Sequence, residues 1–198
     1  MKKQKKKYLQ KKIILKIEII LTVIISEDLI HWKKLGRITD SRLDDRDAII
    51  FYQGNKDRFV RLDRPMEWCG EGYPCKKPSI WLSYSKDMME WGEPKLLFEG
   101  TEWWEDKKIG ASTNVIETRY GYLVTYHGVS TKDDCYRIGA LMLDKKHPRR
   151  VIARTMNPIM WPEFPYENEG FYNGCVFPTA TVVKDDVLYI YYGCADKY

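Results

Sequence analysis

Short apolar runs broken by turn-forming residues dominate the pattern of this chain. Ala48–Phe51, Phe59–Leu62, Ile80–Tyr84, Tyr122–Tyr126, Ile138–Leu143, Thr179–Val183 and Leu188–Tyr192 are each four to six residues long and rich in Val, Ile and Tyr. Gly, Pro, Asn or Asp bounds them, as expected of strands that end in tight turns. No segment of about eleven or more residues carries an amphipathic helical repeat. The pattern predicts an all-β protein. A further apolar run, Ile13–Ile25, contains Lys16 and Glu18. It is too short and too charged for a membrane span, and no small-residue cleavage site follows it. It reads as a buried strand rather than a targeting segment.

The pattern also repeats. Ser26–Trp32 and Ser85–Trp91 share the form S-x-D-x-x-x-W at an offset of 85 − 26 = 59. Arg46 and Lys108 head similar segments 108 − 46 = 62 apart, and Arg64 and His127 lie 127 − 64 = 63 apart. Leu188–Gly193 echoes Tyr122–Gly128 about one such period later, and Cys175–Pro178 falls near the strand start expected after Lys108. Units of roughly 60 residues with four short strands have the size of a β-propeller blade. Trp32 and Trp91, recurring within the unit, are expected to pack between blades. The chain holds about three such units, so the expectation is the last part of a larger ring whose upstream sequence is missing here. Equivalent positions in a ring face a common centre. Arg46, Arg64, Lys108 and His127 are therefore expected to converge as an anion site, since arginine offers a planar fork and lysine a point charge to paired oxygens. The plainer alternative is a set of surface ion pairs, such as Arg46 with Asp44 or Asp45.

Composition narrows the class of partner. The net charge of +5 is misleading, because seven lysines and no acid lie in residues 1–12. Beyond them, 33 − 7 = 26 basic residues face 28 acidic ones, a slightly acidic balance. A basic nucleic-acid surface spread over the fold is not supported, and the lysine tract reads as a solvated, disordered tail on a domain spanning 13–198. Five cysteines (Cys69, Cys75, Cys135, Cys175 and Cys194) include no C-x-x-C spacing. An odd count without metal-ligand spacing predicts reduced thiols, a cytoplasmic setting and no metal. Aromatic residues make up 14% of the chain, largely Tyr and Trp. Such rings favour strands and also pack on the C–H faces of sugars; Trp103 and Trp104, next to Lys108, are the candidates for a sugar platform.

Several of these segments carry a family resemblance. Ile80–Asp87 with Trp91–Leu97, Trp104–Ala111, Tyr126–Val129, Tyr136–Ala140 and Tyr191–Asp196 resemble glycoside hydrolase family 130, which contains the β-mannoside phosphorylases and is built on a five-bladed propeller. The resemblance covers about residues 19–198. It implies that Arg46, Arg64, Lys108, His127 and Tyr136 match phosphate-binding positions, with Asp47 beside that phosphate. It also implies that Asp196 matches a carboxylate binding mannosyl hydroxyls. The implied reaction is reversible phosphorolysis, in which phosphate attacks the anomeric carbon of a β-mannoside from the opposite face and yields α-mannose 1-phosphate. No cofactor is implied beyond phosphate itself as co-substrate, and the partners are a β-mannoside oligosaccharide and phosphate, with self-association compatible with the family.

One part of the family pattern is absent. The general acid is the Asp of a G-x-E-D-P-R motif, and no such motif occurs in this chain; it is expected upstream. Glu167 and Glu169 are nearby carboxylates expected to position sugar hydroxyls or to be structural, with Glu169 the sugar candidate. Tyr52 stands where the family has Pro, and Asn173-Gly174 replaces Pro-Asn, departures that bear on sugar contacts more than on phosphate. Two competing readings are a β-mannoside hydrolase of the same family and a non-catalytic partial propeller that binds sugar or protein.

Overall fold

The structure is a computed structural model that describes residues 21–39 and 43–198. The lysine tract and the first part of the Ile13–Ile25 run lie outside those residues. The remainder is all-β, as the pattern predicts: all seven of the short runs from Ala48–Phe51 to Leu188–Tyr192 fall within strands. Thirteen strands are described, with a single turn of 3₁₀ helix at Gly54–Lys56 and one short helix, α1 (Pro165–Asn168).

The strands form four antiparallel sheets. β1 (Thr22–Ile25) and β2 (Lys33–Arg37) make a hairpin; β3 (Asp45–Gln53), β4 (Arg58–Pro65), β5 (Ile80–Ser85) and β6 (Lys95–Phe98) make a four-stranded sheet in sequence order. The next sheet runs β7 (Lys108–Ala111), β9 (Tyr122–Val129), β10 (Tyr136–Leu143) and β11 (Val151–Arg154), with short β8 (Ile116–Glu117) also on β9. β12 (Val176–Lys184) and β13 (Val187–Cys194) form a second hairpin.

The S-x-D-x-x-x-W repeat proves to be a turn. In the β1–β2 connection the Leu29 amide donates to Ser26 Oγ, and the Ile30 and His31 amides donate to Asp28 Oδ1. In the β5–β6 connection Met88 donates to Ser85 Oγ, and Met89 and Glu90 donate to Asp87 Oδ1. Leu29 and Met88 both adopt left-handed backbone, at φ 62° and 64°. Short Ser and Asp side chains satisfy the amides that such a turn leaves unpaired. The turn therefore marks β1–β2 and β5–β6 as equivalent halves of their units. Two expectations fail here. β1 is a strand, but Ile24 and Ile25 are 52% and 37% exposed, because among the described residues no second apolar layer covers this hairpin. Trp32 is 55% exposed and packs no interface among them; Trp91 is half-buried, its indole N–H donating to Met88 O and its ring lying under Arg61.

Period-2 alternation builds the core between the two large sheets. Val60, Leu62, Ile80 and Leu82 from one meet Ile109, Ala111, Tyr122, Val124, Tyr126, Leu141 and Leu143 from the other. Trp104 is wholly buried in this cluster. Gly128 and Gly139 make room for it, since a Cβ on either would come within 2.8 Å or 2.5 Å of its indole. Its Nε1 donates to Met156 O at 2.9 Å. Trp104 is thus a core wedge and presents no face to a sugar, which corrects that expectation. Truncating a side chain so enclosed costs about 3–5 kcal/mol.

Candidate functional site

The inner strands β3, β4 and β7 bring the predicted cations together. β3 pairs Arg46 with Arg64 of β4 and then Ile49 with Leu62, so Asp47 and Ala48 both oppose Asp63. This is a β-bulge, and Asp47 takes φ 56°, a conformation Asp tolerates better than most residues. Like charges in a cross-strand pair repel, and here each arginine has its own carboxylate. Arg46 Nε and Nη2 donate to Asp44 at 2.8 and 2.7 Å, while Arg64 Nη1 lies 2.6 Å from Asp47 Oδ2. The ion pair with Asp44 named as an alternative for Arg46 is therefore present, but Arg46 also interacts electrostatically with Asp47 and Tyr136.

β7 supplies Lys108, Gly110 and, just beyond its end, Ser112, which alternate onto one face while Ile109 and Ala111 enter the core. Gly110 sits opposite His127 of β9. A Cβ there would lie 2.0 Å from Asp47 Oδ2, 2.7 Å from the His127 ring and 2.8 Å from Arg64 Nη1. Its missing side chain is the gap through which Arg64 and Asp47 reach His127. Arg64 Nη1 contacts His127 Nε2 at 2.9 Å, and Ser112 Oγ lies 2.8 Å from His127 Nδ1. A guanidinium only donates, so Nε2 must accept, Nδ1 carries the proton, and Ser112 Oγ receives it. His127 is therefore neutral. Burial, then Arg64 and Lys108, push its pKa well below the usual value, in agreement. His127 thus enters the group as a neutral ring and adds no positive charge.

Tyr136 on β10 closes the group. Lys108 Nζ lies 5.0 Å from its ring centre, and its ring packs 5.3 Å from that of His127. Burial pushes the Tyr136 hydroxyl up to about 12, so it is a donor at neutral pH. Lys108 is lowered by burial and by Arg64, against the pull of Asp47. Asp47 is raised by burial, against Arg64, Lys108 and Arg46. Phe177 from β12 packs 4.7 Å from His127. All six residues expected at the anion site thus converge. Ser112, Gly110 and Phe177 were not anticipated, although the strand alternation Lys108, Gly110, Ser112 was available as a signal.

Among the described residues, the expected sugar residues are not hydrogen-bonded into this group. Asp196, at φ 52° in the turn after β13, and Glu169 are exposed; among the described residues neither is hydrogen-bonded to a side chain of the cluster. Glu167 is structural: buried, it accepts the Glu163 and Phe164 amides through Oε2 and the Tyr192 hydroxyl through Oε1. Trp103, unlike Trp104, is 54% exposed; with Trp161, Arg137 and Asn157 it borders a cavity of about 260 Å³. A roomier cavity of about 500 Å³ lies by the Ser85–Glu90 turn and includes no residue of the cluster. Among the described residues no group of three or more His, Cys, Asp or Glu is arranged to hold a metal. No helix there is long and apolar enough to cross a membrane.

Comparison with known proteins supplies the family. The family model described as beta-1,4-mannooligosaccharide phosphorylase, glycoside hydrolase family 130, matches residues 28–198. The chain belongs to that family. It is 33% identical over 172 residues to a 1,2-beta-oligomannan phosphorylase of Thermoanaerobacter sp., covering 86% of this chain and 53% of the relative. It is 35% identical over 155 residues to a beta-1,4-mannooligosaccharide phosphorylase of Ruminococcus albus, covering 76% and 45%. Among solved structures, the beta-1,2-mannobiose phosphorylase of Listeria innocua in complex with beta-1,2-mannobiose superposes with a TM-score of 0.77 at 28% identity, covering 88% of this chain and 48% of that one. The chain spans about half the length of the curated relatives it matches.

Proposed function

We propose that this chain carries the phosphate-binding part of a β-mannoside phosphorylase, a five-bladed propeller of which these residues form about the last three blades. The observation that carries the reading is the convergence of Arg46, Arg64, Lys108, Tyr136 and His127 around Asp47, above the gap at Gly110. Arg64 and Lys108 offset the charge of phosphate as it attacks, and the Tyr136 hydroxyl donates to it. Neutral His127, fixed by Ser112, holds the Arg64 fork in place. Positioned charge of this kind lowers the barrier to in-line attack. Inversion at the anomeric carbon follows from attack opposite the leaving oxygen. Protonating that oxygen needs an acid, and the G-x-E-D-P-R aspartate is not in these 198 residues. Asp196 and Glu169 are the carboxylates proposed to bind the sugar, with Trp103 as an outer platform. Relatives named for β-1,2 and for β-1,4 linkages match comparably well, so both mannobioses belong in the test. The five free thiols suit a reducing, cytoplasmic setting.

A second reading has its own support. Ile24, Val182, Val183, Val187 and Tyr191 are exposed on the two hairpins, which suits a non-catalytic partial propeller that associates with protein or with itself. Incubation with β-1,2- and β-1,4-mannobiose, with and without phosphate, separates the readings. Mannose 1-phosphate formed only with phosphate supports phosphorolysis, and free mannose without phosphate points to a hydrolase. Binding of phosphate without turnover supports a phosphate-binding part that awaits its acid. Neither turnover nor phosphate binding leaves the non-catalytic reading.

A further inference from the structure

The cluster contains a carboxylate where an anion is to bind, and this has a chemical consequence. Asp47 Oδ2 is buried and accepts no directed hydrogen bond, although Arg64 Nη1 is 2.6 Å away. Nη1 spends its N–H groups on His127 Nε2 and, at 3.5 Å, on Ile109 O. His127 Nε2, 3.4 Å from the same oxygen, carries no proton to offer. Arg64 Nε is also buried without a hydrogen-bond partner. An acceptor and a donor, each unsatisfied, therefore lie within one ion pair. Charge points the same way: Arg46, Arg64 and Lys108 against Asp44 and Asp47 give 3 − 2 = +1, with His127 and Tyr136 neutral.

Resting on the reading of this cluster as a phosphate site, we propose that Asp47 selects a protonated oxyanion, accepting a hydrogen bond from a P–OH while the ionised oxygens face Arg64, Lys108 and Tyr136. Inorganic phosphate keeps at least one proton through the neutral range and can make that bond. Sulfate is fully ionised, has the same shape, and would set a bare oxygen against the Asp47 carboxylate. Two acceptors set against each other in a buried site make no hydrogen bond to offset the hydration both have lost. The site thus distinguishes phosphate from sulfate by a proton and not by size.

The groups facing Asp47 are Arg46 and Asp44 beside it, Arg64 on β4, Lys108 on β7, His127 on β9 and Tyr136 on β10. Of these, His127 and Tyr136 hold their neutral forms, so the proton in question is shared between Asp47 and the ligand. The test is calorimetric titration of the chain with sodium phosphate, arsenate and sulfate at neutral pH, for wild type and Asp47→Asn, with a melting curve for each. In wild type, phosphate and arsenate, which both keep a proton, bind about a hundredfold more tightly than sulfate. In Asp47→Asn, whose amide can donate to a bare oxygen, sulfate gains and the ratio falls to within about threefold. Equal binding of phosphate and sulfate by wild type overturns the proposal, as does an unchanged ratio in a folded Asp47→Asn. If the variant melts early, the arsenate and sulfate arms on wild type decide the matter. Failure of wild type to bind any of the three overturns the phosphate-site reading itself, and the proposal with it.

Discussion

Strand β4 carries two buried arginines three residues apart, and they sit in opposite situations. Arg64 faces β7 with one nearby carboxylate, Asp47, and further cationic side chains in Lys108 and Arg46. Arg61, on the other face, lies 2.6 Å from Asp63, beside Asp45, with the Trp91 ring 4.7 Å away and the Ile38 carbonyl accepting from Nη1. One cluster has more cations than carboxylates, and its Arg64 and Asp47 reach His127 across Gly110. The other has two carboxylates for one guanidinium and is closed by an aromatic ring and backbone. The net positive charge of the first suits the anion proposed for it. The second is enclosed, and its carboxylates hold their protons more tightly: burial, with Asp63 as a like-charged neighbour, raises Asp45, and burial raises Asp63. Buried Arg–Asp pairs are therefore no guide to function until the surrounding charge and space are counted.

Removing each arginine breaks the comparison most sharply. Arg61→Met leaves two buried carboxylates without a cation, so the chain should lose about 3–5 kcal/mol in urea unfolding, with phosphate affinity retained in the fraction that folds. Arg64→Met should destabilise less, because Lys108 and Arg46 remain near Asp47, yet phosphate binding should disappear. Equal stability losses would erase the distinction. Gly110→Ala comes next: its methyl would collide with Asp47, His127 and Arg64, and overpacking at about 1–3 kcal/mol predicts a tenfold to hundredfold weaker phosphate affinity, read by calorimetry.

The acid-side behaviour should come from the Arg61 cluster. Burial pushes Asp63 up to about 6 and Asp45 up to about 7, above the usual carboxylate range. A carboxylate raised on folding binds more protons in the native state, so stability falls as pH rises between its unfolded and folded values. The melting temperature should therefore decline from about pH 4 to about pH 7, and Asp45→Asn should flatten that slope. A wild-type melting temperature that rises across this window would contradict the assignment. The smallest effect is expected from Ser112→Ala. It removes one hydrogen bond to His127, at about 1 kcal/mol, and should weaken phosphate binding by less than about tenfold.

The fold was largely legible in the sequence because strands and turns are local. Apolar runs bounded by turn residues marked the longer strands, and the Ser26 and Ser85 turns repeat because one hydrogen-bonding solution serves both. The convergence of Arg46, Arg64, Lys108 and His127 was legible through their common offset. Protonation states and distant neighbours were not. Nothing local says that His127 is held neutral between Arg64 and Ser112, whereas the Arg46–Asp44 pair, two residues apart, was readable as an alternative. Trp104 looked like its neighbour Trp103, yet glycines 24 and 35 residues later in the chain (128 − 104 and 139 − 104) admit it to the core. Distant packing, invisible to a pattern of nearest neighbours, decided that difference.

The central claim is that the cluster around Arg64 binds inorganic phosphate. Nitrogen-detected NMR of the His127 ring during a phosphate titration tests it most directly, because His127 contacts Arg64 and has no exposed surface of its own. A saturable shift of its Nε2 resonance, absent in Arg64→Met, is the expected result. A His127 ring that does not respond to phosphate while the protein stays folded would contradict the account.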